Sequence, residues 1–165
     1  MNFFVLGLPR SRTCWLANFL TYDRHYCFHE GMNTCKSLSE YKEKLGTDFG
    51  DSSTATMLFD INREFPDAPK IIIESDIQRS IDYAVKTLGL KDPNYIVYMQ
   101  QQLDKVSGPR VHFDDIDYQL PFIWHTLIGT PFDERRSKIV KTMNIQMQNI
   151  GMMDIDSLNQ FFSTV

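Results

Sequence analysis

The residues with the clearest chemistry lie in Gly7-Leu8-Pro9-Arg10-Ser11-Arg12-Thr13. Glycine permits a tight backbone path, and the amides that follow can point at an anion held on the positive end of a helix. Ser11 and Thr13 add hydroxyl donors, while Arg10 and Arg12 add forked, charge-assisted hydrogen bonds suited to phosphate or sulfate oxygens. Together they describe an oxyanion cradle; the plainer alternative is an ordinary turn with two solvated arginines. A second group is His29-Glu30, since either side chain can take a proton from an alcohol held within hydrogen-bond reach. His112 sits within a strand pattern. His125 follows Trp124 in an apolar stretch, where a core histidine bonded to a backbone carbonyl is expected. His25-x-Cys27-x-His29 places three candidate zinc ligands on one strand face, with Cys35 as a possible fourth. A small buried cysteine between partly exposed histidines explains the same residues more simply.

These groups need elements to hold them. Phe3 to Leu6 is a continuous apolar run ending at a Gly/Pro turn, the pattern of a strand buried on both faces. Trp15, Leu16, Phe19 and Leu20 then recur at helical spacing, so the loop joins a strand to a helix N-terminus. His25 to His29 reads as a second strand, Ser37-Leu38-Ser39-Glu40 as a capping box, and Gly46 to Ser53 as a loop by composition. Met57, Leu58, Ile61 and Phe65 mark a helix stopped by Pro66, and Ile71-Ile72-Ile73 a buried strand. Ile77, Ile81, Ala84, Val85 and Leu88 form a helical stripe that Gly89 ends. Asp92-Pro93 opens a helix running to Val106, and Arg110 to Phe113 is a fourth strand. Thr130-Pro131 opens a further helix, and Asp154 or Asp156 caps a last one ending near Phe162; Lys141 to Met153 receives no assignment. Phe122, Trp124, Met143, Met147, Met152 and Met153 are read as core and helix contacts rather than a sticky surface.

Alternating strands and helices predict one α/β domain over residues 1–165, with a mostly parallel sheet of four or five strands and helices on both faces. Ligands in such sheets bind at the carboxyl ends of strands. That makes Gly7–Thr13, His29–Glu30, Glu74–Asp76 and Asp114–Asp115 the functional rim.

The 165 residues are 42% hydrophobic and 23% charged, which suits a folded globule with room for one core. A net charge of −4 with signs interspersed provides no basic footprint for nucleic acid or anionic membrane, so any anion site must be local. Neither a signal peptide nor a membrane span is expected, and three cysteines suit reduced thiols in a cytoplasm.

Gly-x-Pro-Arg-Ser-x-Thr-x-Trp, from Gly7 to Trp15, resembles the signature of PAPS-dependent sulfotransferases, which have a P-loop, three-layer α/β fold. Phe65-Pro66-Asp67-Ala68-Pro69-Lys70-Ile71-Ile72-Ile73 is similar to the segment leading into that family's 3′-phosphate-binding strand. Val111-His112-Phe113-Asp114-Asp115-Ile116 is similar to a later strand end. The resemblance implies transfer of a sulfuryl group from PAPS, with PAP as product, to a hydroxyl or amine of a small-molecule or carbohydrate acceptor. It implies donor contacts from Gly7, Pro9, Arg10, Ser11, Arg12, Thr13, Cys14 and Trp15, and from Arg79 and Ser80 at the 3′-phosphate. Arg10 takes the charge-stabilising role, and Glu30, with His29 beside it, the role of base. The chain departs from the pattern at Asp76, where an arginine is usual, at Ala84, where a serine is usual, and at Arg12, where glycine is usual. An inactive anion-binding or protein-interaction module is the first alternative. A small-molecule or nucleotide kinase is the second, although the Gly-Lys-Ser/Thr ending it needs is missing.

Overall fold

The computed structural model describes residues 1–22, 25–54 and 59–142. Five strands, β1 (Phe3–Gly7), β2 (Cys27–His29), β3 (Gly50–Ser53), β4 (Lys70–Glu74) and β5 (Arg110–His112), form one all-parallel sheet in the order β2-β3-β1-β4-β5. Seven helices accompany them among the described residues: α1 (Thr13–Leu20), α2 (Leu38–Leu45), α3 (Ile61–Glu64), α4 (Ile77–Lys86), α5 (Asn94–Leu103), α6 (Ile116–Ile128) and α7 (Glu134–Thr142).

Successive strand residues point to opposite faces, and both faces are apolar. Phe3, Val5, Ile71, Ile73 and Val111 pack with α1, α6 and α7. Phe4, Leu6 and Ile72 pack with Tyr41 and Leu45 of α2, Ile61 of α3, Ala84 of α4 and Ile96, Met99 and Leu103 of α5. The result is three layers. The crossover from β1 leads to β2 with α1 on the first face. Those from β2, β3 and β4 move the opposite way across the sheet with α2 to α5 on the second face. Reversing both direction and face keeps every crossover right-handed. The reversal also makes the carboxyl end of β1 a topological switch point, where such sheets open a ligand crevice.

Ser37 caps α2 as expected, accepting the Glu40 amide at 3.2 Å, while Glu40 Oε2 accepts the Lys36 amide at 2.8 Å. Three expectations are corrected. Residues 50–53 are strand, not loop: Gly50 lets β3 lie against β1, because a Cβ there would come within 2.2 Å of the Phe3 ring. Thr130 does not open α7; Asp133 does, its Oδ1 accepting the Arg136 amide at 3.0 Å, while the Thr130 hydroxyl accepts from the Trp124 indole at 3.2 Å. His125 is exposed on α6 instead of buried in the core. The described part of the helix before Pro66 is a single turn capped by Asp60. Met57, Leu58, the methionines from Met143 to Met153 and the last helix expected after Asp154 or Asp156 lie outside the described residues.

Arg136 of α7 is 4% exposed and closes α1 from below. Its guanidinium donates to the carbonyls of Phe19 (2.8 Å), Asn18 (2.9 Å) and Thr21, the acceptors a helix C-terminus leaves without partners. Burial pulls its pKa down to about 10, against the opposing pull of Asp133. The guanidinium stays protonated at neutral pH.

Candidate functional site

The loop after β1 is a tight turn followed by a helix start. The Ser11 amide donates to the Leu8 carbonyl at 3.2 Å, and Arg10 sits at φ 73°. Gly7 is required by close approach, since a Cβ there would lie 2.8 Å from the Ser11 Cβ. Arg12, at φ 61° and ψ 21°, is the N-cap residue of α1 but offers no side-chain cap. Its left-handed backbone explains why glycine is usual at this place in the signature. The amides of Thr13, Cys14 and Trp15 have no acceptor among the described residues. They are the orphan donors of a helix N-terminus, at the switch point of the sheet.

Arg10, Arg12 and Glu30 are the three non-glycine residues with positive φ among those described. All three belong to the candidate site. Such backbone costs about 1–3 kcal/mol per residue and persists where neighbours over-determine it, often at functional sites.

The hydroxyls of the loop face inward. Ser11 is buried and lies 2.9 Å from the Ser75 hydroxyl, and Ser80 donates to the Pro9 carbonyl at 2.7 Å. Ser80 thus ties the loop to α4. The Ser52 hydroxyl donates to the Thr13 carbonyl at 2.7 Å, tying α1 to β3.

The arginines rest on aromatic rings. Arg10 is exposed, with its guanidinium carbon 5.1 Å from the Tyr83 ring centre, and Arg79 lies 4.4 Å from that of Phe113. Arg12 stacks 4.5 Å over Trp15 and reaches Asp117 Oδ1 at 3.2 Å, an oxygen also 3.6 Å from Lys141 Nζ. Partial burial pushes the Asp117 carboxyl up, but the Arg12 hydrogen bond and the two cations outweigh it and hold it below the ordinary range. Asp76 caps α4 by accepting the Gln78 amide at 2.8 Å, and Ala84 is core. Both departures from the signature therefore have structural duties.

The proton-transfer candidates meet on β2 and β3. His29 Nδ1 lies 3.0 Å from the Ser52 carbonyl, which only accepts. Nδ1 therefore carries the hydrogen, and in the neutral ring Nε2 keeps its lone pair. Glu30 Oε1 accepts the Thr54 amide at 2.8 Å and Oε2 the Ser53 hydroxyl at 2.9 Å. Its charge is felt at α1: burial first, and then Glu30, push the Cys14 thiol up. His112 is exposed and accepts the Asp114 amide at 3.4 Å. His25 contacts the Asp48 carbonyl at 3.1 Å, Cys27 is buried, and Cys35 reaches the Gly31 carbonyl at 3.5 Å. Among the described residues no cluster of three or more such side chains could hold a metal ion.

Sequence reasoning missed the platform under Glu30. Asp51 is fully buried on β3, with its Oδ2 accepting the Tyr41 hydroxyl at 2.6 Å and its Oδ1 the Gly31 amide at 3.1 Å. Burial pushes its pKa up to about 7, against the lowering by Tyr41 and Gly31. Burial, and then Asp51, also push the Tyr41 hydroxyl up. An Asp-Ser-Ser-Thr run reads as loop, and only its alternation between the two faces of a strand could have flagged it.

The folded state holds the Asp51 proton more tightly than the unfolded chain, whose carboxyl has its ordinary value near 3.8. This contribution is complete below pH ~4 and is lost as pH rises to about 7. Asp51→Asn is therefore expected to gain stability over the parent chain across that window, reaching on the order of 3 kcal/mol at pH 8. Urea denaturation of both proteins at pH 4, 6 and 8 measures the difference; a gap independent of pH contradicts it.

A cleft of about 450 Å3 lies elsewhere, between α3 and α5, lined by Ile61, Asn62, Gln102 and Val106 among others. It sits where β4 and β5 begin, opposite the rim that carries the loop. Among the described residues no helix is long and apolar enough to cross a membrane. Comparison with protein-family models, with curated proteins and with solved structures found no match. Fold and site together define an all-parallel α/β chain with a strained, doubly arginine-bearing loop at its switch point.

Proposed function

We infer that this chain is a sulfotransferase-like protein of the P-loop class. Its α1 N-terminus would hold the 5′-phosphosulfate of PAPS, and the acceptor would be a hydroxyl or amine. The observation that carries the reading is the trio of unpartnered amides at Thr13, Cys14 and Trp15, presented at the switch point behind two left-handed arginines. Those donors fit a tetrahedral anion. PAPS, when bound, supplies the sulfuryl group and leaves as PAP. The chain's own work is then to bind, to neutralise charge and to move a proton. Amides and Arg10 offset charge on the transferred oxygens, with Arg10 swinging from Tyr83, and Glu30 accepts the acceptor's proton.

A thermal-shift series with PAP, ATP with magnesium, sulfate and phosphate tests this. Saturating PAP is expected to raise Tm in a concentration-dependent way and by more than ATP with magnesium. A larger response to ATP with magnesium favours a kinase.

A second reading rests on the Arg12–Asp117 contact and on the cap made by Asp76: the site binds an anion without transferring anything. The two readings share one prediction. Asp117→Asn frees Arg12 and removes a negative charge, so sulfate affinity is expected to rise about fivefold at low salt by calorimetry. Unchanged affinity would show that Arg12 does not reach the anion.

A further inference from the structure

The corner that carries Glu30 is held from both sides through its neighbour Gly31. The Gly31 amide donates to Asp51 Oδ1 at 3.1 Å, and the Gly31 carbonyl accepts Lys44 Nζ at 3.1 Å and the Thr34 hydroxyl at 3.1 Å. Lys44 Nζ also reaches the Thr34 hydroxyl at 2.6 Å. The approach is close: a Cβ on Gly31 would lie 3.0 Å from both Asp51 Oδ2 and the Phe28 Cβ, so a neighbour would have to give way by a few tenths of an ångström. One residue is therefore held at its N–H by a carboxylate and at its C=O by an ammonium, with the carboxylate fixed in turn by Tyr41. Glu30 precedes this residue at φ 54°, a conformation that needs such over-determination.

We propose that Asp51 and Lys44 are positioning residues that clamp Gly31 and so aim the Glu30 carboxylate at the mouth of the α1 N-terminus. This deepens the reading of Glu30 as base and rests on it. A buried carboxylate is a costly way to hold one amide, and a neutral side chain would stabilise the fold better. Its geometric product is the Glu30 corner, whose two oxygens then meet Ser53 at the end of β3 and Thr54 just after it. The charged and titratable groups around Asp51 are Glu30, Lys44 of α2 and the Tyr41 hydroxyl, with Cys27 and Cys35 facing Tyr41.

The test uses the full chain, labelled with 13C and 15N, as the parent and as Asp51→Ala, Asp51→Asn and Lys44→Met. Amide exchange at Thr54 is compared with that at Ile72, which reports global opening. Asp51→Ala and Lys44→Met are expected to raise Thr54 exchange at least thirtyfold more than Ile72 exchange and to move the Glu30 13Cδ shift toward that of free glutamate. Asp51→Asn, which still accepts the Gly31 amide, is expected to restore both. Thr54 and Ile72 rising together, or an unmoved Glu30 shift in Lys44→Met, overturns the clamp. Stabilisation by PAP is measured on the same samples. Its absence in the parent refutes the sulfuryl-transfer reading, while the exchange ratio still decides whether Gly31 is clamped.

Discussion

Replacing Arg136 with methionine is expected to lower the unfolding free energy by about 3–5 kcal/mol, a large part of what holds a domain of this size together. The reason is the end of α1. Three carbonyls, those of Asn18, Phe19 and Thr21, receive donors from one buried guanidinium, and methionine has the length to fill the space but nothing to donate. Lysine carries the charge but cannot present a rigid fork to three acceptors, so Arg136→Lys should recover only part of the loss. Arg63, exposed and paired with Glu64 beside it, is the control: Arg63→Ala should stay within about 0.5 kcal/mol of the parent. Denaturant midpoints at unchanged m report these differences. An Arg136→Met midpoint close to that of the parent would mean that water reaches those carbonyls.

The second large effect is on the site. Arg10→Ala is expected to weaken PAP binding about tenfold to a hundredfold, the range of one or two charge-assisted hydrogen bonds, and to lower transfer with it. Glu30→Gln should keep PAP binding and lose a factor of about 100 to 10000 in rate, because the amide still fits the Ser53 and Thr54 contacts but cannot take a proton. Calorimetry with PAP and single-turnover transfer from PAPS separate the two. Normal rates in Glu30→Gln move the role of base to His29, whose Nδ1 faces the Ser52 carbonyl and whose Nε2 therefore carries the lone pair in the neutral ring.

Legibility followed where the information lies. The β1–loop–α1 unit is local: an apolar run, a Gly/Pro turn and a helical stripe are contiguous in the chain, so the strand and the helix start could be read directly, whereas the exposure of Arg10 could not. Ile71 to Ile73 and the α4 stripe were readable for the same reason. The strand order was not, because pairing β1 with both β3 and β4 depends on contacts far apart in sequence. Residues 50–53 were misread since composition treats Asp, Ser and Ser as solvated. Their partners, Tyr41, Gly31 with Glu30, and Thr13, lie in three other segments. Asp76 shows the converse case. As a departure from the signature it reads as a missing phosphate contact, whereas in the fold it is a helix cap whose usefulness is independent of any ligand. Ser80, expected at a 3′-phosphate, donates instead to the Pro9 carbonyl in the fold.

The latch on Arg12 links these observations to function. Its stacking on Trp15 and its pairing with Asp117 hold the guanidinium beside the α1 N-terminus, and under the proposed function an anion bound there would compete with one carboxylate for it. Exposed pairs of this kind contribute little, about 0–1 kcal/mol, so under that proposal a doubly charged anion would be enough to redirect the side chain.

The most direct measurement is an amide NMR titration of the full chain with sulfate and then with PAP. If the α1 N-terminus is the anion site, the Thr13, Cys14 and Trp15 amides shift first and most, saturate with either ligand, and respond less in Arg10→Ala. Shifts confined to residues around the α3–α5 cleft, or no saturable change at those three amides, would contradict the account.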